Sequence, residues 1–112
     1  MANRKIVCDK TEIILVDERN NDQIYNLTYD QIMQIQIDTC NEFSWFRKIP
    51  SEKIEVFARK LAEPFVFLKN KNKQYFDEYK IELKEFAKNH RIAFSDLTDS
   101  EEKEKDYQSQ AI

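Results

Sequence analysis

The sequence predicts an α+β domain in which six to seven strands precede one amphipathic helix. Three observations support this reading. Short apolar runs with a period near two fill the first two-thirds of the chain. The period changes to three and four beyond position 72. Glycine is absent from all 112 residues, which restricts the turns that can join the elements. That length suits one domain.

Taken in order, KIVCD (5–9) reads as a short strand. TEIILVDE (11–18) is rich in β-branched residues and ends at a turn signal, ERNND. DQIYNLTY (22–29) alternates imperfectly. IMQIQID (32–38) directs Ile35 and Ile37 one way and Gln34, Gln36 and Asp38 the other. The step from Ile32 to Ile35 breaks the period, so a turn or bulge is expected between them. EFSWFRK (42–48) reads as a further strand, with Phe43 and Trp45 on one face and Ser44 and Phe46 on the other. KIEVFARK (53–60) sets Ile54, Val56 and Ala58 against Glu55, Phe57 and Arg59, and PFVFLK (64–69) is a short apolar strand opening at Pro64.

Tyr75, Phe76, Tyr79, Leu83, Phe86, Ala87 and His90 then form one face of a helix over about 72–89. Glu78 and Glu82 make a like-charge pair off that face, so burial of the aromatic stripe is the expected support. RIAF (91–94) is expected to pack back on the body. Residues 1–94 read as the domain. Residues 95–112 read as an acidic, flexible tail, because their six acids and two lysines give a net charge of −4. The whole chain is at −3, so the acidity belongs to the tail and the body is nearly neutral.

Without glycine, neither a P-loop nor a dinucleotide fingerprint can form, since both need backbone to approach phosphate closely. Turns requiring positive φ are expected at Asn and Asp, as in ERNNDQ (18–23) and KNKNK (69–73). The chain is 35% charged and has no apolar run long enough to span a bilayer. MANRKIVCDKTEI lacks the apolar core of a signal peptide, so a cytoplasmic location is expected. Cys8 and Cys40 are the two cysteines and are expected to be reduced and structural.

The order of elements resembles that of bacterial pleckstrin-homology-like (PH-like) domains. TEIILVDERNNDQIYNL (11–27) is similar to their opening hairpin, and LTYDQIMQIQID (27–38) to their next strand region. Residues 53–86 are similar to their closing hairpin and helix. The resemblance covers most of residues 4–90 and rests on apolar spacing without a signature residue. It implies a bent antiparallel β-barrel or sandwich whose open end is plugged by the helix, and a non-catalytic adaptor that binds protein, peptide or lipid. Eukaryotic lipid-binding members cluster basic residues in the first hairpin. Here Asp17, Glu18 and Asp22 surround a lone Arg19, a departure that argues against that route to phosphoinositides.

Little in the chain suggests catalysis. His90 is the only histidine and falls at the helix C-terminus, where a partly buried or capping role is expected. The cysteines lack an electropositive setting and do not show zinc spacing, so no metal or other cofactor is expected. A small enzyme built on His90 with a carboxylate or thiol remains the competing class. FRKIPSEK and KNKNKQYF mix basic and aromatic residues, but the charge balance argues against nucleic acid and against a membrane surface.

The remaining feature is NEFSWFRKIP (41–50), which holds the only tryptophan. Phe43, Trp45 and Phe46, with Arg47 and Lys48, are the candidate partner-binding residues, because aromatics beside a cation are the usual chemistry of an interaction surface. Three readings stay open for them: internal core, self-association, and an unidentified protein or peptide partner.

Overall fold

The computed structural model describes residues 4–17 and 21–98. These contain seven strands in two sheets and one helix. The first sheet joins β1 (Ile6–Cys8), β2 (Glu12–Asp17) and β3 (Gln23–Thr28) in antiparallel order. The second has the order β6-β5-β4-β7, built from β4 (Ile32–Ser44), β5 (Arg47–Ala58), β6 (Phe65–Leu68) and β7 (Ala93–Asp96). Helix α1 (Phe76–His90) lies between β6 and β7 in the chain.

Alternation places the strand faces as expected. Ile35, Ile37, Ile54 and Val56 are fully buried, and they meet Ile6, Ile13, Leu15 and Leu27 of the first sheet in one core. Burial of such side chains is worth about 1.5–3 kcal/mol each. The expected irregularity after Ile32 is a β-bulge: the β4–β5 register shifts between Ile32 and Gln34, and Met33 is turned outward.

The aromatic stripe of α1 completes the core through Phe76, Tyr79, Leu83, Phe86 and Ala87. The Tyr79 hydroxyl accepts the Lys5 backbone N–H at 2.7 Å, which fixes the start of β1 to the helix. Arg4 bridges Glu78 and Glu82 and lies over the Tyr75 and Tyr79 rings. The like-charge helix pair thus shares one cation, from a residue more than 70 positions away. At the other end, His90 Nε2–H donates to the Lys10 carbonyl at 2.6 Å, and its ring stacks on Tyr29 with a 4.5 Å centroid separation. His90 therefore ties the last helical turn to the β1–β2 connection, as its capping position suggested.

Four expectations need correction. The described strands do not close into a barrel; they remain two sheets. The strands are not all antiparallel: β7 runs parallel to β4, because the chain leaves α1 through Arg91 at φ 57 and returns along β4's open edge. Residues 42–48 are not one strand, since a turn at Trp45–Phe46 divides them between β4 and β5. The helix begins at Phe76, because Lys69–Lys71 form a separate 3-10 helix. β7 also carries the chain into the segment read as tail. The rest of that tail, from residue 99, lies outside the described residues, as does Arg19. No helix among the described residues is long and apolar enough to cross a membrane.

Candidate functional site

β4 and β5 pair continuously from Ile32–Ala58 to Ser44–Arg47. Their neighbours cover only part of that length. β7 pairs with Gln34–Ile37 and β6 with Lys53–Val56. Beyond Asp38 and Lys53 the two strands continue as a ribbon that neither β6 nor β7 flanks. At about 3.4 Å per residue, the ribbon from Thr39 to Ser44 extends roughly 17 Å from the sheet.

The connection at the end of this ribbon has two residues, Trp45 and Phe46, between the paired Ser44 and Arg47. Both are at positive φ, 51° and 66°. That is the signature of a type I′ turn, whose twist matches a two-residue hairpin and which Asn-Gly or Asp-Gly normally occupies. A side chain with a Cβ in this region costs about 1–2 kcal/mol. The chain therefore holds two large aromatics where the backbone favours neither.

These aromatics gain no burial in return. Trp45 is 86% exposed, Phe46 107% and Phe43 75%. Ile49 is also exposed, and a concavity of about 550 Å³ beside the turn is lined by Trp45, Arg47, Lys48, Ile49 and Pro50. All five residues singled out from the sequence thus gather at one tip. Their division between two strand faces does not hold, because the turn reverses the chain between Phe43 and Lys48, which become register partners. The internal-core reading is excluded for Trp45 and Phe46 by their exposure.

Acidic side chains anchor the ribbon at its base, through Glu52, and further out, through Glu42. Glu52 pairs with Lys80 at 3.2 Å and Lys69 at 3.5 Å, and Glu42 accepts the Asn70 backbone N–H at 3.3 Å. The last contact brings the lysine-rich segment 69–73 alongside the ribbon, so the two basic and aromatic stretches of the sequence are neighbours in space. Arg47, Lys48, Lys71 and Lys73 have no acidic partner among the described residues.

A second concavity lies between the end of β1 and α1. It is an open groove of about 490 Å³, with Cys8 and Ile81 over buried Phe86 as its apolar lining and Asp9, Glu82 and Glu85 beside them. Ile81 is 68% exposed. Sequence reasoning missed this groove, because Ile81 lies off the aromatic stripe and was not singled out. Cys8 and Cys40 are both free thiols. Burial, helped by the negative charge of Glu82, pushes the Cys8 thiol up to about 12. Burial and Glu42 also raise Cys40. Neither thiol has the lowered pKa of a nucleophile. No group of metal-ligating side chains occurs among the described residues.

No family model, curated protein or solved structure shows significant similarity to the chain.

Proposed function

We propose that this chain is a non-catalytic binding module on a PH-like scaffold, and that its working element is the tip of the β4–β5 ribbon. The observation behind this reading is the pair Trp45 and Phe46, both at positive φ and both exposed. Backbone strain and solvent exposure of large aromatics each oppose folding. Together, at a site where Arg47 and Lys48 have no acidic partner among the described residues, they favour selection for contact with a partner. Trp, Phe and Arg are the residues that dominate contact energies when a partner desolvates them. The succession of strands and then a helix supports the PH-like scaffold.

The test is site-specific photo-crosslinking in the cells that produce the protein, with the reactive group at position 46 or, as control, at exposed position 88. The expected result is a discrete adduct from position 46 that is absent from position 88. It should vanish when Trp45 is replaced by Ala. Equal labelling from the two positions would sink the reading.

A further inference from the structure

We infer that the tip recognises a second copy of this chain, by seating in the groove between β1 and α1 of the neighbour. This inference rests on the tip being the binding element. The two surfaces can meet in outline: Trp45 and Phe46 project, exposed, from the end of the ribbon, and the groove is an open concavity of about 490 Å³. They are complementary in polarity, since exposed Ile81 and half-buried Cys8 offer an apolar surface to the aromatic side chains, over buried Phe86. They are also complementary in charge. Arg47 and Lys48 flank the tip, and the groove carries Asp9, Glu82 and Glu85 against a single Lys10. Arg4 already meets Glu82, which leaves Asp9 and Glu85 to face an incoming cation.

Within one copy the tip does not fill this groove, because Trp45 and Phe46 are exposed. The contact must therefore run from one molecule to the next. Tip and groove are different surfaces, so the interface is heterologous and a pair of copies retains one free tip and one free groove. Opposite local charges allow this association although every copy has the same net charge of −3.

Heterologous contacts permit a decisive mixing experiment. One full-length variant carries Trp45→Asn with Phe46→Gly, residues suited to the same turn. The other carries Ile81→Lys with Glu85→Lys, at exposed helix positions that tolerate lysine. Sedimentation velocity over a dilution series should show the wild-type chain growing with concentration, while each variant alone stays monomeric. An equimolar mixture should form a one-to-one dimer and nothing larger, because only one tip and its one intact groove remain to pair. Self-association that persists in either variant would overturn the inference, and so would a mixture that stays monomeric.

The emission of Trp45 separates this inference from the reading it rests on. A red, readily quenched spectrum for a wild-type chain that is monomeric throughout overturns self-recognition and leaves the tip free for another partner. If the same chain shifts to the blue only with anionic phospholipid vesicles, the partner is a bilayer surface and self-recognition again falls. A blue, protected spectrum in the dilute monomer overturns both.

Discussion

Two turns in this chain meet the same backbone requirement with opposite residues. Before β3, Asn21 and Asp22 adopt φ of 55° and 56°; between β4 and β5, Trp45 and Phe46 adopt 51° and 66°. Asn and Asp tolerate the left-handed region because their short polar side chains bond locally. Asp22 also reaches Lys5, at 3.6 Å. The residues of the first turn thus serve the fold. Those of the second do not: they carry the same backbone conformation at greater cost and meet solvent. In a chain without glycine, this contrast separates a turn whose residues suit its backbone from one whose residues do not.

The largest expected effect contrasts the two halves of the β4–β5 hairpin. Ile54→Ala removes a fully buried side chain from the covered half and should lower unfolding stability by about 2–5 kcal/mol. Phe46→Ala, at the uncovered end, should change it by no more than about 0.5 kcal/mol. Urea denaturation of both variants measures the difference. A comparable loss from Phe46→Ala would mean that the tip is part of the folded core.

A smaller effect should separate the two turns, and with opposite signs. Trp45→Asn with Phe46→Gly relieves two unfavourable left-handed residues and should raise stability by about 1–3 kcal/mol. Asn21→Ala with Asp22→Ala imposes the same difficulty on the first turn and should lower stability by a similar amount, about 1–3 kcal/mol. If the aromatic turn were instead destabilised by its Asn-Gly replacement, Trp45 and Phe46 would be contributing to the fold, and the contrast drawn here would fail.

The residues explain why some of this was legible in sequence and some was not. The core halves of the strands follow period two, so Ile35, Ile37, Ile54 and Val56 were placed correctly, and the break after Ile32 located the bulge. The stripe from Phe76 to Ala87 likewise fixed the buried helix face. The turn at Trp45–Phe46 was hidden because no turn-forming residue marks it. A rule that positive φ falls on Asn or Asp holds at Asn21 and Asp22, fails at Trp45, Phe46 and Arg91, and is not used at KNKNK (69–73), where Lys69–Lys71 form a 3-10 helix and neither Asn70 nor Asn72 has positive φ. The five tip residues were identified by composition alone; their exposure became visible only once the ribbon was seen to outrun β6 and β7. The parallel return of β7 and the groove beside Ile81 depend on contacts between distant segments, which local periodicity does not encode.

The two cysteines extend the same comparison, and their expected effects are the smallest. Cys8 lies under the helix, and Cys40 lies on the ribbon opposite Ser51. Burial raises the Cys8 thiol from 9.0 to about 12, so the folded chain keeps it neutral at a pH where the unfolded chain would ionise it. Its contribution to stability is therefore complete below pH 9.0 and disappears as the pH rises towards about 12. Lysines and tyrosines titrate in the same range, so the informative quantity is the difference between variants. Cys8→Ala should flatten the alkaline loss of stability, and Cys40→Ala should flatten it less, because Cys40 is the less deeply buried thiol. Alkylation in the native state should follow the same order, with Cys40 modified faster than Cys8. Equal rates at the two thiols would mean that β1 and α1 separate as readily as the ribbon moves, and that the groove between them is not a preformed surface.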